Sequence, residues 1–155
     1  MRTTFTPTVF YRNPRAALDW LAAAFGFEIS LLVTDDTGAV GHAEMSFDGA
    51  TIGVGGEWAG AQLGPARMLS PASLDGAGSQ FIWVTLRQGL DEHRIRAEAA
   101  GARVTEPPAN QFYGDRTYRA LDLEGHVWCF RQTVAAVSVE EMEQATGLKI
   151  QEGAR

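Results

Sequence analysis

The feature that most constrains this chain is a repeat of its punctuation. Gly26 and Gly101, each at the end of a helix-like stretch, lie 75 residues apart, and Gly49 and Gly125, each in a hairpin-like turn, lie 76 apart. Both pairs bracket the same order of elements. In the first half, residues 5–11 (FTPTVFY) have strand character, and Asn13-Pro14 starts a helix with Asn at the N-cap and Pro at the first helical position. Leu18, Leu21, Ala22 and Phe25 then recur at helical spacing as far as Gly26. Residues 27–34 are strand-like, DDTG at 35–38 turns the chain, and GHAEMSF and TIGVGG flank the hairpin pair Asp48-Gly49. In the second half QFIWVTL, GLDEHRIRAEAAG, RVTEP, RTYRALD and HVWCFR repeat the order, with PANQFYGD as a loop and LEG as a turn.

A βαβββ unit covers one face of its sheet with its helix and leaves the other open. Two such units predict an α+β fold in which the modules join into one curved mixed sheet around a cavity. The expected organisation is a single domain over residues 1–132, with modules at 4–57 and 79–132 and a connection at 58–78, followed by a helical tail at 133–155. The connection is rich in Gly, Ala, Ser and Pro and has no clear period. In the tail, Ser138 and Glu141 form a capping-box pattern ahead of Met142 and Ala145, so a third helix is expected to pack on a module or across a dimer partner. Residues 150–155 are expected to fray.

At 155 residues, 45% apolar and 21% charged, the chain has the balance of one globular domain. Its net charge of −6 and the absence of a basic stripe argue against nucleic acid and anionic membranes as partners. Lys149 is the only lysine, so an arginine must serve wherever an anion is held. Cys129, the single cysteine, excludes an intrachain disulfide and a multi-cysteine metal site, which suits a reducing compartment. No signal-peptide pattern is visible at residues 1–14, and no run approaches the roughly 18 apolar residues of a membrane span. A cytoplasmic location is the expectation.

The run QFYGDRTYRALDLEGHVWCF at 111–130 resembles the last hairpin of the vicinal oxygen chelate superfamily, the glyoxalase, bleomycin resistance and dioxygenase group. GHAEMSFDGATIGVG at 41–55, NPRAALDWLAAAFGFE at 13–28 and EAAGARV at 98–104 are similar to its other elements. The resemblance spans nearly the whole chain and is specific for the superfamily, not for a reaction. It implies four ligands, one on the first and one on the last strand of each module, usually His, Gln or Glu, holding a divalent metal that chelates substrate oxygens. It places them at Thr6, Gly53, Phe81 and Cys129. None of these is an imidazole or a carboxylate, so no metal site is expected there and no cofactor is implied. A divalent metal enters only through a relocated site.

His42 and Glu44 lie on one face of their strand, either as an acid/base pair or part of a relocated metal site, or as a polar sheet face. His93 and His126 suit structural roles, His126 by bonding through its ring in the final turn. Arg116 could grip a carboxylate or phosphate, or pair with Asp115, Asp122 or Glu44. Cys129 would need a nearby base or positive charge to act as a nucleophile, and is expected to be buried and inert. Thr8, Phe10, Trp58, Phe81, Trp83, Tyr113 and Tyr118 are expected to line the cavity, with Trp58 as a lid or as an anchor of the connection.

Three functions compete. The first is a binding protein, without the usual catalytic metal, that takes up a small aromatic or hydrophobic molecule, as a homodimer by resemblance to the bleomycin-resistance branch. The second is a glyoxalase-type lyase or extradiol-type dioxygenase with a relocated metal at His42 and Glu44. The third is a structural or regulatory subunit with a filled cavity.

Overall fold

The computed structural model describes residues 3–60 and 63–153. Each module contributes one helix and a four-stranded mixed sheet. The first has β1 (Thr8–Tyr11), α1 (Pro14–Phe25), β2 (Glu28–Thr34), β3 (Val40–Phe47) and β4 (Ala50–Gly56), in the order β1-β4-β3-β2. A short α2 (Glu57–Gly60) and a 3-10 turn (Pro71–Ser73) lie in the connection. The second module has β5 (Phe81–Thr85), α3 (Leu90–Ala99), β6 (Arg103–Asn110), β7 (Asp115–Leu121) and β8 (Val127–Thr133), in the order β5-β8-β7-β6. The tail forms α4 (Val139–Thr146).

The repeat holds at the level of register. Thr8 is opposite Gly53 in the parallel β1–β4 pair, and Trp83 is opposite Cys129 in the parallel β5–β8 pair, so both offsets deduced from the glycines recur. Local chemistry sets the boundaries. Asn13 accepts the Ala16 N–H at the start of α1, and Gly26 ends it in the left-handed region at φ 76°. Asp48 and Gly49, at φ 46° and 81°, give the twist a two-residue hairpin requires. Ser138 and Glu141 cap α4 reciprocally.

Three expectations are corrected. The modules do not share one hydrogen-bonded sheet: β1 and β5 are each at the edge of a separate four-stranded sheet, and they meet through side chains, as where Gln80 Nε2 donates to the Thr8 carbonyl at 3.2 Å. β1 is shorter than residues 5–11. β6 continues past Pro107 through Pro108 to Asn110, where a loop was expected from Pro108 on, because an edge strand needs no N–H on its free side and the register shifts there. Of the expected frayed end, residues 154 and 155 lie outside the described residues, and 150–153 form no helix or strand.

One core serves both modules. Phe25, at the end of α1, packs with ring centroids 5.5 Å from Trp128 and 4.7 Å from Phe130 of the second sheet, and Tyr118 stacks on Phe130. The second module also finishes α1: Arg96 donates to the carbonyls of Ala22 and Ala23, both at 2.8 Å. α1 has no basic residue in its own last turn, so the cation that complements its C-terminal carbonyls comes from α3. His93 lies between Tyr118 Oη at 2.7 Å and the Phe25 carbonyl at 3.1 Å. A carbonyl only accepts, so Nε2 carries the proton and Nδ1 accepts from the tyrosine hydroxyl.

The turn between β7 and β8 fastens to the first module. Asp122 is buried and accepts from Tyr11 Oη at 2.6 Å, Trp128 Nε1 at 3.0 Å, and the backbone N–H groups of Glu124 and His126. Glu124 accepts from the N–H groups of Arg12 and Asn13 and from Ser70 Oγ. His126 Nε2 lies 2.7 Å from the Phe10 carbonyl, so its ring bridges the modules rather than closing its own turn.

Asp122→Asn leaves donors facing an amide that can satisfy only part of them. The expected loss is about 2–4 kcal/mol in urea unfolding, since each hydrogen bond to a charged acceptor contributes about 1.5–3 kcal/mol. Burial holds the His93 pKa below its ordinary 6.5, with Arg96 adding to the effect against the hydrogen bond to Phe25. The unfolded chain therefore takes up this proton first as pH falls. The contribution of the neutral ring is complete above the ordinary value and lost as pH drops below it. Stability measured from about pH 7.5 to about pH 5.5 should fall more steeply in the wild type than in His93→Gln.

Candidate functional site

Strand alternation gives each sheet a face on the shared core and a face away from it. On the second module the outward face carries Phe81, Trp83 and Thr85 from β5, Cys129 and Arg131 from β8, and Thr117 and Arg119 from β7. Phe81 and Trp83 are 50% and 42% exposed, with centroids 6.0 Å apart. A guanidinium lies against each ring: Arg119 Cζ is 5.8 Å from the Phe81 centroid and Arg131 Cζ 5.5 Å from the Trp83 centroid. Arg119 also donates to Cys129 Sγ at 3.1 Å and pairs with Glu106 at 2.7 Å. Arg131 donates to Thr85 Oγ1 at 3.0 Å and forms no ion pair among the described residues. Partial burial raises the pKa of Tyr113, whose surroundings include Asp115, Arg131, Cys129 and Arg119.

The outward face of the first module carries Thr8 and Phe10 from β1, Gly53 and Gly55 from β4, His42 and Glu44 from β3, and Leu31 and Val33 from β2. Thr8 lies against Gly53, where a Cβ would come within 2.5 Å of Thr8 Oγ1, and the Phe10 ring covers Gly55. His42 Nε2 and Glu44 Oε1 are 3.6 Å apart, on the strand facing Gly53. Between the modules runs an apolar groove of about 360 Å³, lined by Phe5, Phe27, Phe47 and Ile52 on one side and Ile82 and Trp83 on the other.

Residues 5–130 match the sequence model of the glyoxalase/bleomycin resistance protein/dioxygenase superfamily. The chain belongs to that superfamily. An uncharacterised protein of Mycobacterium bovis is 27% identical over 140 residues, 90% of each chain. Among solved structures, TioX from Micromonospora sp. ML1 aligns with a TM-score of 0.65 at 29% identity, covering 85% of this chain and 99% of that one. A glyoxalase-related enzyme from Fulvimarina pelagi aligns with a TM-score of 0.66, covering 86% and 89%, and at 14% identity shares the fold.

By register Thr8 lies beside Gly53 and Trp83 beside Cys129, with Thr6 and Phe81 each two residues earlier in the chain. The four positions that the superfamily resemblance implies, Thr6, Gly53, Phe81 and Cys129, offer one hydroxyl and one thiol, and the thiol is engaged by Arg119. This donor set does not fit a divalent ion that requires imidazole or carboxylate ligands. His42 and Glu44 are adjacent, but no group of three or more His, Cys, Asp or Glu that could hold a metal is found among the described residues.

The other expected site residues are dispersed. Phe81, Trp83 and Tyr113 belong to the second module's outward side, and Thr8 and Phe10 to the first module's. Tyr118 is 1% exposed and faces the core through His93, because its neighbour Arg119 takes the outward position. Trp58, 53% exposed, lies against Gly41 and Gly56 of the first module. Arg116 forms a two-bond pair with Asp91 at the start of α3, both bonds 2.9 Å, and adds Asn110; none of its expected partners is involved. Arg119 and Arg131 were missed in the sequence, where the Gly-Asp-Arg motif draws attention to Arg116. Counting in twos along β7 and β8 separates them: 117 and 119, and 129 and 131, share the outward face, while 116 and 118 point inward.

Cys129 is 1% exposed, and the positive charge beside it does not open it to solvent. A thiol-specific reagent should modify it at least about a hundredfold more slowly in the native protein than in urea, because reaction requires local opening. Equal rates would place the thiol on an accessible surface.

Proposed function

We propose that this superfamily member binds a small aromatic or hydrophobic organic molecule without the usual catalytic metal. The observation that carries the proposal is the half-exposed pair Phe81 and Trp83, with Trp83 also forming a wall of the apolar inter-module groove. Aromatic side chains bury about 150–250 Å² each when covered, so leaving two adjacent rings open forgoes stabilisation that a stacked ligand restores. Sequestration needs shape and stacking, and the template positions supply no ligand set for a Lewis acid.

The proposal includes a homodimer. Each outward face is open in the single chain, and Ile29, Leu31, Leu32 and Val33 of β2 are all exposed. A second copy that sets a first-module face against a second-module face would enclose a site that neither closes alone. A rival arrangement, a relocated metal using His42 and Glu44, has their 3.6 Å approach in its favour and needs further ligands.

Thermal unfolding in the presence of divalent ions and of neutral aromatic compounds discriminates between the two, since a ligand of the native state raises its apparent stability. The expected result is a melting temperature insensitive to metal and raised by naphthalene-type compounds, with the rise reduced in Trp83→Leu. A metal-dependent shift abolished in His42→Ala would overturn the proposal.

A further inference from the structure

We propose that the second module's outward face selects planar aromatic anions, aryl carboxylates in particular, with Trp83 as the stacking platform and Arg131 as the anion-binding group. This rests on the same face being a ligand surface, and adds the ligand's charge. The Arg131 guanidinium lies over the Trp83 ring, its Cζ 5.5 Å from the centroid, so a planar ligand that stacks beside it on the half-exposed indole brings a carboxylate at its edge to that guanidinium. Arg131 is oriented by its Nε–H bond to Thr85 Oγ1, which leaves the terminal nitrogens for a two-point grip.

The distribution of carboxylates decides which arginine serves. Glu106 already neutralises Arg119, and Arg116, on the inward side, is held by Asp91. Asp115, at the far end of β7, is bonded to Thr133 Oγ1. Arg131 is therefore the face's cation without an ion-pair partner among the described residues, and its aromatic neighbour is half exposed. The chain's net charge of −6 does not oppose this, because charges beyond roughly 8–10 Å are screened at physiological salt. Tyr113, whose phenol is protonated at neutral pH as any tyrosine's is, can donate a hydrogen bond at the same side of the face.

Calorimetric titration with 1-naphthoate, neutral 1-naphthalenemethanol and cationic 1-naphthylmethylammonium tests the proposal. The anion should bind at least about tenfold more tightly than the neutral compound, as one charge-assisted contact predicts. Arg131→Gln should bring the anion to the level of the neutral compound, both measured on the same variant. Arg131→Lys should restore part of the difference, and Arg116→Gln should leave it intact. Equal binding of anion and neutral compound, or preference for the cation, would overturn the charge selection and leave the aromatic-binding function standing. Binding of none of the three would overturn both.

Discussion

The buried carboxylate of Asp122 is the constraint on which the rest of this structure depends. A carboxylate removed from water is tolerated only when its lone pairs are occupied, and here the donors come from both modules: Tyr11 from the first, Trp128 and two turn amides from the second. Glu124, two residues on, binds the first amides leading into α1, and Ser70 of the connection. One turn thus fixes the end of β1, the entry to α1 and the return of the connection. The reciprocal contact is lighter: the Arg87 side chain grips Asp48 in the first module's turn, at an exposed position where water and salt screen the ion pair.

The duplication is also unequal in side chains. Both modules keep the same strand order and equivalent pairings, but only the second sets arginines against aromatic rings on its outward face. The corresponding first-module positions are Thr8 for Trp83 and Gly53 for Cys129, where the threonine packs directly on the glycine. The proposed ligand surface rests on that difference between the halves.

The fold was legible in the sequence because its signals are local. Asn13-Pro14, Gly26, Asp48-Gly49 and the Ser138/Glu141 box specify ends and turns by backbone chemistry that does not depend on the rest of the chain. The site was less legible. Whether Tyr118 faces the core or a ligand depends on which parity of β7 lies under α3, and a short strand with polar residues at both parities does not declare it. The separation of the two sheets depends on contacts across modules, such as the Gln80 side chain with the Thr8 carbonyl, which no local pattern encodes.

The two outer edges point to where a second copy would meet this chain. β6 is blunted as a free edge should be: Pro107 and Pro108 remove donors, and Arg103 and Glu106 add charge. β2 has no comparable protection. Its seven residues are all exposed, four of them large and apolar, and only the register shifts between Ile29 and Leu31 and between Val33 and Thr34 interrupt the edge. α4 has the same imbalance: it is well capped at both ends yet buries none of its eight residues, and helices that short are marginal alone in water. Two uncovered apolar elements in one chain are explained together if the proposed dimer covers them. β2 belongs to the first module and α4 follows β8 of the second, so such a contact would draw on both modules, as the proposed pairing of a first-module face with a second-module face requires.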